Sequence, residues 1–183
     1  MEHFYENKIL SLIAFFAKNT KNCGKTKLAK LLFYVDWGHL KKTGKTITGL
    51  TYNAFKFGPF PKELYNDLKD KNTYIGSQVN FVDDEKITKS LVVKFKYEPK
   101  YFSKFELSEM EKTAEIFKDA SADDMVRVSH WINEPWTVTK NKSGLLAPID
   151  EKLAFDKKDS TITVEEYLER KKERGEFANV TYA

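Results

Sequence analysis

The chain has 183 residues, 41% hydrophobic, 32% charged and 14% aromatic, with a formal net charge of +4. That length suits one domain, large enough to bury about two-thirds of its unfolded surface without staples. The single cysteine, Cys23, excludes an intrachain disulfide and a thiolate-clamped zinc site, His3, His39 and His130 lack metal-ligand spacing, and the mild charge permits nucleic-acid binding without demanding it.

The chain opens with Glu2 and Glu6 rather than the basic start of a signal peptide. No apolar run reaches the ~18 residues of a membrane span, so the cytoplasm is the expected location, without a membrane partner. From Tyr5 to Phe16, Tyr5, Ile9, Leu12, Ile13 and Phe16 follow helical spacing. The polar stretch from Lys18 to Lys25 reads as a loop, with Thr26 as cap of the next helix. That helix, Lys27 to Lys42, is apolar around most of its girth and therefore central and buried, and Gly44 ends it.

A strand is expected from Leu50 to Phe57, then a Gly58-Pro59 turn, then a helix with Pro61 at its first position and Leu64 and Leu68 on one face. A β-hairpin follows, with Val79 and Phe81 in one arm, Asp83-Asp84 at the turn and Ile87 to Tyr97 in the other. Ser108 with Glu111 and Ser121 with Asp124 read as capping boxes opening two helices around a tight corner at Ala120. The second stops before Glu134-Pro135. Thr163 with Glu166 opens a last charged helix to about Arg174, followed by a loose tail after Gly175. The order implies an α+β fold, mainly helical with a small antiparallel sheet or hairpin. Residues 1–150 read as the domain and 151–183 as a helical extension and tail.

The apparent chemistry is sparse. Gly24-Lys25-Thr26 resembles the end of a phosphate-binding loop, but Asn19 stands where the first glycine is needed. Cys23 sits in a lysine-rich loop that would lower its pKa, yet no triad supports it as a nucleophile. Asp36 and His39 are neighbours on one helix, and Asp36 falls in the apolar row of Ala29, Leu32 and Leu40. Either they form a catalytic or metal-binding pair, or Asp36 fixes the backbone or a ring hydroxyl of a neighbouring segment. The second reading is preferred because no further ligand is evident. Phe57 and Phe60 flank a stiff turn that suits either a contact surface or a packed corner, and Trp131 and Trp136 suit a core lid or an interface.

These segments together resemble the Panacea antitoxin domain family, which includes SocA-like and phage-associated proteins. The resemblance is carried by Lys27 through Asp36, His39-Leu40, Thr43-Gly44, Ile47-Thr48-Gly49, Tyr52, Gly58-Pro59, Pro61, Leu64 through Leu68, Ser129-His130-Trp131 and Pro135-Trp136. It implies a non-enzymatic antitoxin that binds a protein toxin encoded beside it and needs no cofactor. The structural signature is Asp36, His39, Gly49, Tyr52, Gly58, Pro59, Trp131 and Trp136. The partner-binding candidates are Tyr34 and Trp37, expected on the exposed side of the central helix, with Phe57 and Phe60. A nucleic-acid-binding regulator and a proteolytic adaptor delivering a toxin to a protease are the alternatives.

Overall fold

Helix α2 (Lys25–Thr43) is the axis on which the rest is assembled, because nearly every position from Lys27 to Leu40 is buried. The structure, a computed structural model, describes residues 3–84, 87–131, 134–155 and 158–180. Against α2 pack α1 (Phe4–Asn19), α5 (Lys104–Phe117), α6 (Ala122–Ser129) and strands β2 (Gly58–Phe60) and β4 (Ile87–Val93). One hydrophobic cluster runs from Leu10, Leu12, Ile13 and Phe16 of α1 through Leu28, Leu31, Leu32, Phe33 and Val35 of α2 to Met110 and Met125. The fold is α+β and mainly helical, and its strands form two small antiparallel two-stranded sheets.

The caps of α2 show what starts and stops it. Its N-cap is Gly24, which offers no side-chain bond, and Thr26 lies inside the first turn rather than capping it. At the other end Gly44 turns left-handed, at φ 76°, and its N–H donates to Leu40 O at 2.8 Å. The last carbonyls also accept from Arg174 Nη2 at Gly44 (2.8 Å) and from Thr161 N at Lys41 (3.1 Å). Cations placed there complement the negative end of the helix dipole. Helix α8 (Val164–Val180), opened by the reciprocal Thr163–Glu166 box, is thereby tied to α2, and buried Tyr167 stacks on Phe155 at 4.7 Å. The helix continues past Gly175, where a loose tail is expected from the sequence.

Strand β1 (Asn53–Phe55) is shorter than expected, and Gly58-Pro59 is not the turn but part of β2, paired Ala54↔Pro59 and Phe55↔Gly58. The turn lies at Lys56-Phe57. The other edge of β1 bonds residues 146–149, with Ala54 N donating to Ala147 O at 2.9 Å. Pro61 is the N-cap of α3 (Lys62–Lys69), and Leu64 and Leu68 are both buried. The second hairpin pairs β3 (Val79–Asp84) with β4, Phe81 opposite Leu91. Asp83-Asp84 ends β3 instead of turning, and residues 85–86 lie outside the described residues. The arm expected to reach Tyr97 stops at Val93, although Phe95 and Tyr97 still pack on the core.

Two helices are absent from the sequence reading. Helix α4 (Tyr74–Gln78) is capped by Thr73, whose hydroxyl accepts from Gly76 N at 3.0 Å. Helix α7 (Pro135–Ser143) starts with Pro135 at its first position. The cap of α5 is Ser103 with Glu106, five residues before the expected Ser108 with Glu111. The Ser121–Asp124 box opens α6 as expected.

Candidate functional site

Asp36 is fully buried, and its carboxylate is saturated by donors from the segment after α2. Oδ1 accepts the N–H groups of Ile47 (2.8 Å) and Thr48 (3.0 Å), while Oδ2 accepts the hydroxyls of Thr48 and Tyr52 (2.7 Å for Tyr52). Burial pushes its pKa up to about 6, against the pull of those four bonds. Gly49, left-handed at φ 73°, bends the segment between the two hydroxyl donors. His39 belongs to a different contact. Its Nδ1–H donates to Lys45 O at 2.7 Å, and Thr43 Oγ1 stands 3.0 Å away. Burial lowers its pKa. Asp36 and His39 therefore hold two different contacts, one to the Ile47–Tyr52 segment and the other to Lys45.

Two lysines of α2 are buried, which the sequence reading did not foresee. Lys27 Nζ donates to the carbonyls of Lys21 (2.7 Å), Ala120 (2.7 Å) and Lys118 (3.2 Å), joining the α1–α2 loop to the α5–α6 corner. Lys30 Nζ donates to Pro59 O at 2.8 Å, and desolvation lowers its pKa to about 7. The same ammonium explains Gly58. A Cβ there would stand 2.6 Å from Lys30 Nζ and 2.5 Å from Ser129 Oγ, and the backbone is left-handed at φ 101°. Gly58-Pro59 is thus a docking point for α2 and α6 on the first hairpin: the glycine makes room and the proline supplies the acceptor.

Trp136 is buried, stacks on His130 at 3.8 Å between ring centroids and donates from Nε1 to Phe55 O at 2.7 Å, fixing α7 on β1. Trp131, by contrast, is 62% exposed. Tyr34 is half-buried and stacked on Phe117 at 4.9 Å, and burial raises its pKa. Trp37, expected on the exposed side, is only 5% exposed and stacks on Phe33 at 4.9 Å, because α2 is enclosed on that side as well. Phe60 packs between Phe55 (5.2 Å) and Tyr65 (5.0 Å). Phe57, at the tip of the same hairpin, is 58% exposed. Cys23 is buried, so its pKa is raised to about 11, the opposite of what its lysine-rich neighbourhood suggests.

One open concavity is a cleft of about 510 Å³ between four elements. Gly24, Lys25 and Thr26 at the start of α2 form one wall, and Phe81, Val82 and Ser90 of the second hairpin another. Ala122, Asp123 and Val126 of α6 and Phe57 of the first hairpin complete it. Of these residues, only Phe57 is a partner-binding candidate from the sequence. Lys25, Phe81 and Val82 come from segments far apart in the chain, and only the folded arrangement brings them together.

No curated protein and no solved structure matches this chain. A family model described as antitoxin SocA-like, Panacea domain, matches residues 28–137, more than half of the chain. That span runs from Leu28, in the first turn of α2, to the start of α7 and contains Asp36, Tyr52, Gly58-Pro59 and Trp136. The chain belongs to the SocA-like antitoxin family built on the Panacea domain.

Proposed function

We propose that this chain is an antitoxin that binds a cognate protein toxin encoded nearby and blocks it by occlusion, with no catalysis of its own. The observation that carries the reading is the match to the antitoxin domain over residues 28–137. The geometry supports it in two ways. The polar groups that looked like chemistry are engaged in holding the fold: Asp36 by four donors, His39 by Lys45 O, and Lys27 and Lys30 by backbone carbonyls. Large apolar side chains stand at the surface instead, among them Phe57 and Trp131, and aromatic groups of this kind anchor protein interfaces.

In this reading residues 1–150 form the toxin-binding domain, and 151–183 are an extension whose helix α8 clamps the end of α2. The protein acts in the cytoplasm. No helix among the described residues is long and apolar enough to cross a membrane. The nucleic-acid and protease-adaptor readings draw on no observation of their own. Co-expression with the product of the adjacent reading frame tests the proposal: growth is restored and the two chains co-purify. Persistent toxicity with no complex contradicts it.

A further inference from the structure

We infer that the hollow between α2 and α8 is a binding site for a compact primary amine that also carries a hydrogen-bond acceptor, the chemistry of an amino-acid amide. The site is separate from toxin binding and goes beyond the antitoxin reading. Its volume is about 270 Å³, and its walls include Trp37 of α2, Tyr52, Asp150, Glu151 and Lys171 of α8. That is just under the roughly 300–1,000 Å³ of pockets for drug-sized ligands, so the occupant is smaller than those. Trp37 is buried, and its indole Nε1 meets no acceptor among the described residues. A buried N–H left in that state is costly, and the hollow that Trp37 lines is where an acceptor for it can stand. The other buried tryptophan, Trp136, differs in this respect, because its Nε1 donates to Phe55 O at 2.7 Å.

The other walls set what the occupant must bring. Tyr52 offers only its ring, because its hydroxyl donates to Asp36 Oδ2 at 2.7 Å. Glu151 and Lys171 neutralise one another: Lys171 Nζ donates to Glu151 Oε2 at 3.2 Å, and the Tyr167 hydroxyl donates to the same oxygen while accepting from Lys171 Nζ at 2.7 Å. Asp150 is left over. Its Oδ1 accepts from Lys152 N at 2.9 Å, and no cation pairs with its carboxylate among the described residues. The hollow therefore presents one open donor at Trp37 and one uncompensated charge at Asp150. A molecule with a carbonyl oxygen for the indole N–H and an ammonium for the carboxylate answers both. An acid would meet Asp150 with like charge, and an apolar molecule would leave both groups unanswered. Solvent in a polar hollow yields to a molecule that reproduces its bonds.

The test follows the indole Nε1–H signal of Trp37 by NMR in the isotope-labelled full chain, assigned through bonds so that no variant of a buried residue is needed. The probes are L-alaninamide, an amine with a carbonyl acceptor, and acetate, an acceptor without an amine. L-alaninamide should move the Trp37 signal saturably and leave those of Trp131 and Trp136 in place, and acetate should not move it. Asp150→Asn keeps an oxygen for Lys152 N and removes the charge. It should weaken L-alaninamide binding roughly fivefold, with a thermal melt to confirm that the variant folds. A Trp37 signal unmoved by L-alaninamide means a hollow that holds solvent only, and overturns the proposal while the antitoxin reading stands. Saturation by acetate at the same concentrations, or equal affinity in Asp150→Asn, overturns the amine as the ligand.

Discussion

Lys30 Nζ and Pro59 O lie 2.8 Å apart in the interior, and their bond joins the central helix to the first hairpin. It also dictates the neighbour of Pro59. Gly58 is left-handed, and the space a side chain would take is held by Lys30 Nζ and Ser129 Oγ. Gly58→Ala should therefore cost about 2 kcal/mol or more, from strain and from displacing two buried polar groups. Gly49→Ala, equally left-handed but facing open space, should cost about 1 kcal/mol. Urea denaturation of the pair separates crowding from backbone strain, and equal losses would remove the docking-point explanation.

Burial makes the Lys30 charge a cost rather than an asset. With its folded pKa near 7 against an ordinary 10.5, the unfolded chain binds the extra proton between those values. This group's contribution to stability therefore rises as pH climbs from about 7 to about 10.5, and below pH 7 its penalty is complete. Lys30→Met keeps the stem and removes the charge. The variant should lack this share of the pH dependence and should fold at least as well as wild type at pH 6. Denaturant midpoints of both proteins across pH 6–10 give the comparison, and parallel profiles would refute it.

Asp36 divides its labour by atom: Oδ1 serves two backbone N–H groups and Oδ2 two hydroxyls. Hydroxyls can accept as well as donate, so an amide nitrogen in place of Oδ2 finds partners. Asp36→Asn should cost about 1–2 kcal/mol, while Asp36→Ala, which strands two N–H groups and leaves a void, should cost about 3 kcal/mol or more. Toxin neutralisation should survive in folded Asp36→Asn and in His39→Gln. Loss of neutralisation with stability intact would restore a functional role to the pair.

Cys23 is buried with its pKa near 11, so thiolate is scarce at neutral pH. Its reaction with Ellman's reagent at pH 8 should be slow in the native protein and fast in denaturant. Equal rates would place the thiol at the surface.

Helices α2 and α6 were legible from their own signals: α2 shows its buried girth and Gly44, and α6 shows its Ser121 box. An aspartate in an apolar row announced that Asp36 needs donors, though not which ones, since Ile47, Thr48 and Tyr52 reach it only through the fold. The misses have local causes. Helix α4 has five residues with Gly76 at its middle, too short for periodicity. Helix α7 reads as Thr-Val-Thr-Lys-Asn-Lys-Ser after its tryptophan, a poor helical sequence held by Pro135 at its start and by buried Trp136. Two Ser-x-x-Glu patterns follow one another at the head of α5, and the real cap is the one that follows the Pro99–Tyr101 turn. Gly58-Pro59 reads as a turn by composition, but its glycine answers a close approach from α2 and α6 that no local pattern records. The cleft was illegible for the same reason, because its walls come from four separated segments.

The central claim is that this chain neutralises a protein toxin by binding it, and the direct measurement is stoichiometric. The purified chain is titrated against the product of the adjacent reading frame, following the toxin's activity and complex formation on one concentration axis. Activity should fall in proportion to complex formed and return when the complex is separated in denaturant and the toxin refolded. Loss of activity without a complex, or a toxin covalently altered after release, would contradict the account.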